Sequence, residues 1–189
     1  AAVLTVLPLF ARNVLGADES VVAVFQVLFT LGAVAGALAC GVLNRGEDAL
    51  IFTVVGAAGL VIFPADIALY TANWSAGESL MGVEAFLEEP AHRRILFDLF
   101  MAAVSGGLFL VPLQAMAQRR ADPERRGRLL AASGILNGAG ATLGPFILFV
   151  LARTGLSVHA AFWFVSAGSL VAGLFFAWRM VVRSREKSA

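Results

Sequence analysis

Apolar residues run almost unbroken through five stretches of the chain, Val21 to Leu43, Ala49 to Tyr70, Ile95 to Ala117, Leu129 to Leu151 and His159 to Val181, and through a shorter one from Ala1 to Leu15. A helix needs about 20 mostly apolar residues to cross a hydrocarbon core roughly 30 Å thick, at about 1.5 Å per residue. Each of the five complete stretches has that length. A backbone in lipid must satisfy its own hydrogen bonds, so unbroken runs of this kind read as helices and not as strands. The expected fold class is all-α membrane, with six transmembrane helices over about 1–15, 21–43, 49–70, 95–117, 129–151 and 159–181 in a single transmembrane domain spanning residues 1–189.

The connections between these runs are short, with one exception. Leu15 to Ser20 reads as a turn in which Asp18, Glu19 and Ser20 suit the N-terminus of the next helix, where side-chain oxygens and negative charge are favourable. Asn44 to Asp48 reads as another tight reversal. The segment from Thr71 to Arg94 is too long for a turn. Within it Val83, Phe86 and Leu87 set against Glu84 and Glu88 predict a short amphipathic helix lying on the membrane and ended by Pro90; a disordered polar loop is the alternative.

Composition agrees with a lipid environment. Hydrophobic residues make up 59% of the chain and charged residues 14%, against about 25% charge in an ordinary soluble domain; mean hydropathy is +0.84. Of the 14 basic residues, ten fall on one side of the bundle if the second and fourth connections and the tail share that side: Arg45, then Arg119, Arg120, Arg125, Arg126 and Arg128, then Arg179, Arg183, Arg185 and Lys187. The other side has Arg12, Arg93, Arg94 and Arg153. The retention of Lys and Arg in the cytoplasm therefore predicts a multi-pass inner-membrane protein with a cytoplasmic C-terminus. Ala1 is not Met and no signal-peptide pattern precedes the first run, so a piece of a longer chain is expected. Cys40, the single cysteine, lies inside a span and reads as a small packing residue.

Small residues indicate where helices meet closely. Gly32 with Gly36, Gly134 with Gly138, and Gly140 with Gly144 are GxxxG spacings, which predict tight contacts for the second and fifth helices. The sixth helix carries Phe162, Trp163, Phe164, Phe175, Phe176 and Trp178 near its ends, as an interfacial aromatic belt would, and is expected to face lipid. Polar side chains inside the runs cost free energy against hydrocarbon, so Gln26, Thr30, Ser105, Gln114, Ser133 and Asn137 are expected to turn toward neighbours or a watered path. Pro112 breaks the fourth run beside them. Asp66 and Asp98 sit within about a turn of the interface, either in a salt bridge to Arg93 or Arg94 or as a proton or cation coupling site.

Catalytic readings do not survive their geometry. Ser133 and His159 lie at opposite ends of successive helices, about 18 residues or roughly 27 Å apart along the membrane normal at about 1.5 Å per residue, too far for a nucleophile and its base. His92 and Asp98 are one residue too widely spaced for an acyltransferase His-x4-Asp pair. No metal-ligand cluster, phosphate-binding glycine loop or nucleic-acid groove is legible, so no cofactor, no metal and no nucleic-acid partner are expected.

Three consecutive segments carry a family resemblance: Gly106-Gly-Leu-Phe-Leu-Val-Pro-Leu-Gln-Ala-Met-Ala-Gln118, Arg120-Ala-Asp-Pro-Glu-Arg-Arg-Gly-Arg128 and Ala131-Ala-Ser-Gly-Ile-Leu-Asn137. They resemble the tenth helix, cytoplasmic loop and eleventh helix of a major facilitator superfamily transporter, most closely the lysophospholipid transporter branch, whose members occur alone or fused to a lysophospholipid acyltransferase and an acyl carrier protein ligase. Phe86 to Phe100 is similar to that branch as well. Ser133-Gly134 stands where an Asn pair is usual, and Gly41-Val-Leu-Asn-Arg-Gly46 is a degenerate form of the superfamily's inner-loop motif, with Asn44 in place of Asp.

The resemblance implies one six-helix half of a rocking transporter, its N-terminal six-helix half missing, with the first and fourth helices lining the cavity. Thr5, Asn13, Ser105 and Gln114 would then be substrate contacts, the second and fifth helices would pack on the missing half, and Arg119, Arg120, Arg125, Arg126 and Arg128 would form a cytoplasmic gate loop or simply retain the loop by charge. The implied function is transport of lysophospholipid across the bacterial inner membrane, with membrane lipid as surroundings and no catalysis by this chain. A hydrophobic-drug efflux facilitator, or the membrane domain of a bifunctional acyltransferase, are the alternatives.

Overall fold

The computed structural model describes residues 2–43, 49–77, 79–120, 126–153 and 158–186. Seven helices account for nearly all of them: α1 (Ala2–Asn13), α2 (Glu19–Leu43), α3 (Ala49–Tyr70), α4 (Val83–Glu88), α5 (Pro90–Arg120), α6 (Arg126–Arg153) and α7 (His159–Glu186). Among the described residues α2, α3, α5 and α7 are each long and apolar enough to cross a membrane, and α6 contributes a shorter apolar segment, Leu130–Ala139. Pro8, Pro64 and Pro112 lie inside α1, α3 and α5, a placement tolerated where neighbouring helices satisfy the freed carbonyls.

Helix ends extend beyond the apolar runs wherever a polar residue can begin or finish the turn. The fourth run, expected over 95–117, is a 31-residue helix that starts at Pro90. Proline at a first helical position costs no hydrogen bond and arrives with its φ already set, and it forces the preceding residue into extended backbone; Glu89 has φ −77° and ψ 117°. Pro90 thus separates α4 from α5 and starts the second of them. At α2 the Asp18 carboxylate accepts from the Ser20 amide at 2.8 Å and from the Ser20 hydroxyl, the capping expected of that turn. The Ser20 hydroxyl bond is the main reason the Asp18 carboxyl, which lies outside the spans, is held below its ordinary value.

The bundle is built around α5, which packs against α2 on one side and α3 on the other, while α3 packs against α7. Glycine makes these approaches. A Cβ at Gly32 would stand 2.6 Å from the Phe100 carbonyl oxygen, one at Gly36 would collide with the Val104 backbone, and one at Gly107 would stand 2.6 Å from the Ala33 carbonyl oxygen. The α2–α5 seam is therefore reciprocal, with glycine from each helix facing the other's backbone. On the far side of α5, a Cβ at Gly56 would stand 2.5 Å from the Phe109 nitrogen. Gly32 and Gly36 of α2 are thus consumed by a contact inside this bundle, and not by a surface turned toward a second half.

The other expected tight helix behaves differently. Nothing lies within 4 Å of a Cβ built at Gly134 or Gly138, and α6 touches the rest of the bundle through α1 and, sparingly, α5. The sixth helix of the sequence reading, α7, divides its faces. Phe162 is buried against Phe10 at a ring separation of 4.9 Å, and Phe176 meets Phe109 at 6.0 Å. Trp163, Phe164, Val171, Leu174, Phe175 and Trp178 stay exposed. An aromatic belt describes only that second face, because the first is taken up by α1, α3 and α5.

Candidate functional site

At the end of the bundle opposite the C-terminus of α5, the α1–α2 and α3–α5 connections are tied together. The Met81 amide donates to the Gly16 carbonyl at 2.7 Å, the Asp18 amide to the Met81 carbonyl at 3.0 Å, and the Val83 amide to the Ser20 hydroxyl at 3.1 Å. Gly16 has φ +64°, a conformation that favours glycine, and this lets the chain reverse into the pairing. The hydroxyl of Ser20 thus serves both the α2 cap and the start of α4.

The same end is filled by aromatic and imidazole rings. Phe86 of α4 is fully buried, packed against Phe25 at 5.7 Å and stacked on the His92 ring at 4.0 Å with the planes almost parallel. Trp74 meets the His92 ring edge-on at 5.6 Å, and the His92 Nδ1 lies 3.0 Å from the Phe86 carbonyl oxygen. The α4 helix therefore does not simply lie on a membrane surface. It inserts its one large aromatic residue into the bundle. Across the same end His159 Nε2, at the start of α7, lies 3.0 Å from the Thr71 carbonyl oxygen and 3.1 Å from its hydroxyl. One ring nitrogen thereby joins the end of α3 to the start of α7, while the Phe10 ring of α1 meets the His159 ring edge-on at 6.4 Å.

Beside this cap stands a charged cluster. Arg94 donates from Nη2 to Asp66 Oδ1 at 2.7 Å and from Nε to Asp66 Oδ2 at 3.0 Å, a two-pronged fit of guanidinium to carboxylate. The guanidinium carbon sits 4.5 Å above the Tyr70 ring. Asp98 is one turn further along α5. It retains only 4% of its exposure, and its Oδ2 has no hydrogen-bond partner. Of the two arginines expected to serve these acids, Arg94 pairs with Asp66, whereas Arg93 turns back to the Leu87 carbonyl at 3.5 Å.

The expected pathway residues are scattered over the bundle. Asn13 ends α1, and Gln26, Gln114 and Asn137 are all exposed, on α2, α5 and α6 respectively. Thr30 donates to the Gln26 carbonyl at 2.8 Å. Ser105 is buried, donates to the Met101 carbonyl at 2.7 Å, and its side chain faces Gly59 across the α3–α5 seam. In this bundle it is a helix-packing residue, a hydroxyl satisfied by its own helix. Thr5 lies on α1, with its side chain outside the described set. Of the arginine group, Arg128 is exposed on the first turn of α6; Arg119 and Arg120 end α5 and Arg126 begins α6, their side chains not described, and Arg125 lies outside the described residues.

Several of these groupings could not be read from the chain. His92 and His159, the chain's two histidines, are each engaged by a backbone carbonyl in the cap. The signal that pointed to His92 is local, a histidine six residues beyond Phe86 with a proline between them. For His159 no local signal exists, since Thr71 is 88 positions away. Among the described residues no group of three or more His, Cys, Asp or Glu is placed to hold a metal ion.

Helices long enough to cross a membrane, joined by glycine seams and interrupted by few charges, define a multi-pass membrane protein of the helix-bundle class. The family model of the Major Facilitator Superfamily matches residues 1–189, and the chain belongs to that superfamily. It is accordingly a secondary transporter by family, and members of this family are generally not enzymes. Comparison with curated proteins and with solved structures finds no match for the chain.

Proposed function

We propose that the chain is one six-helix half of a facilitator that moves lysophospholipid across the bacterial inner membrane by alternating access, with the arginine-rich turn and the C-terminus in the cytoplasm. The observation that carries this reading is the uncovered polar set on otherwise apolar helices. Gln26, Gln114 and Asn137 are exposed, although an amide facing lipid tails is costly. Gly134 and Gly138 of α6 are equally uncovered. A second half would cover these faces and leave a path between the halves, lined by amides for a polar headgroup and by apolar side chains for an acyl chain. The segments Gly106 to Gln118, Arg120 to Arg128 and Ala131 to Asn137, similar to the lysophospholipid branch, supply the substrate class.

The arginine-rich end fits the same reading. Arg119, Arg120, Arg125, Arg126 and Arg128 lie close together in sequence where α5 ends and α6 begins, and basic residues beside the cytoplasmic leaflet attract anionic headgroups. Reconstitution of the full-length protein into proteoliposomes tests the proposal. Labelled lysophosphatidylethanolamine should accumulate in protein-dependent fashion, and Gln114→Ala together with Asn137→Ala should reduce that uptake. Absence of lipid uptake by a preparation that still expels a hydrophobic dye would overturn the substrate assignment in favour of drug efflux.

A further inference from the structure

We propose that the Ser166 hydroxyl of α7 and the Leu60 carbonyl of α3 form a binding site for one water molecule, at the point where Pro64 interrupts the hydrogen bonding of α3. Proline carries no amide hydrogen, so the Leu60 carbonyl, four residues before it, loses the donor that the helix would supply. The proline ring stands against that same carbonyl. Pro64 is fully buried, and its burial encloses the carbonyl with it. In an apolar span the replacement partner comes from a neighbouring helix or from a held water molecule.

The packing of α3 on α7 brings Ser166 to this point. His159 meets Thr71 at one end of the seam, and a Cβ at Gly173 would stand 3.0 Å from the Ala57 Cβ further along it. Both pairs fit one antiparallel register, in which each step forward on α7 is one step back on α3. Ser166 lies seven residues, or two turns, from either α7 contact, and Pro64 lies seven from either α3 contact, so the two share a level on the facing sides.

Ser166 keeps only 4% of its exposure, and its Oγ has no hydrogen-bond partner. The hydroxyls of Thr30, Thr71, Ser105 and Thr142 behave differently, each donating to the carbonyl four residues before its own. A hydroxyl without a bond and a carbonyl deprived of its donor therefore occur together in one apolar seam. The polar side chains close to Pro64 in sequence do not serve them, since Asp66 is engaged by Arg94 and Thr71 by His159. A water molecule completes both groups, donating one hydrogen to the Leu60 carbonyl and accepting the hydrogen of Ser166. The close contacts at Gly173 and His159 hold the helices together on either side, and this limits the occupant to a molecule of that size.

Two measurements on the full-length protein test the site. A high-resolution density map should show a water within hydrogen-bonding distance of both Ser166 Oγ and the Leu60 carbonyl oxygen. A Ser166 hydroxyl turned to the Phe162 carbonyl of its own helix, with no water between α3 and α7, would overturn the proposal. The second measurement is a double-mutant cycle read as melting temperature in detergent. Ser166→Ala should lower that temperature by about 2 °C. Pro64→Ala returns an amide to the Leu60 carbonyl, and in that background Ser166→Ala should have no effect. No loss in the wild-type background, or an equal loss in both, would sink the idea. Neither measurement involves a substrate, so a failure of lipid uptake leaves the site standing and removes only the substrate assignment.

Discussion

The α2–α5 seam and the α6 helix carry the same signature in sequence, glycines four residues apart in an apolar run, and they meet opposite fates. At the seam each glycine lies against another helix's backbone, whereas a side chain at Gly134 or Gly138 of α6 would meet open space. The difference shows that a GxxxG spacing reports a capacity for close approach and says nothing about which helix approaches. In lipid the drive to associate comes from packing and hydrogen bonds, since lipid tails are as apolar as leucine. A glycine face therefore remains unused until a partner of matching shape is present.

The contrast can be broken most forcefully at its centre. Gly36→Leu places a side chain into the Val104 backbone, and overpacking a close helix contact should destabilise the bundle by about 3 kcal/mol, read as a drop in thermal stability in detergent. Phe86→Ala asks whether the cap matters as much as the seam. It empties a fully buried aromatic site and should cost about 3 kcal/mol, with a matching rise in hydrogen exchange across residues 81–92.

His159→Ala removes the ring that joins α3 to α7 and leaves the buried Thr71 hydroxyl with only its bond to the Ile67 carbonyl. A loss of about 1–2 kcal/mol follows, smaller than at the seam because the flanking contacts remain. Gly138→Leu is the opposing case, and it should leave the stability of this bundle within about 0.5 kcal/mol. A large loss there in a preparation of the isolated bundle would erase the distinction between the two helices.

A small loss belongs to the α2 cap. Because the folded Asp18 carboxyl lies below its ordinary value of 3.8, its contribution is fully present above that value and is lost as pH falls through the lower folded one. Asp18→Ala should therefore lower stability slightly at neutral pH, and the wild type and variant should converge in acid, as an unfolding series against pH would show.

Much of the fold was legible because its solvent is. Crossing a membrane imposes a length and an apolarity that each helix must satisfy by itself, so the runs, the turn at Asp18 and the break at Pro90 follow from local residues. Asp66 and Asp98 were legible as out of place for the same reason. Their division of labour was not, since Arg93 and Arg94 are adjacent and helix rotation decides which of them faces α3. For Ser105 a hydroxyl in an apolar run suggests a watered path, and here a carbonyl of its own helix satisfies it while a facing glycine leaves it room.

The order of helices, their approximate ends, the lipid surroundings and the sidedness of charge are properties of single segments, and the chain's residues set them one segment at a time. Which arginine serves which acid and which carbonyl holds His159 depend on residues 28 and 88 positions apart. Those pairings are fixed only when the helices are packed, because close contact between distant segments is a matter of shape and rotation that no local pattern encodes.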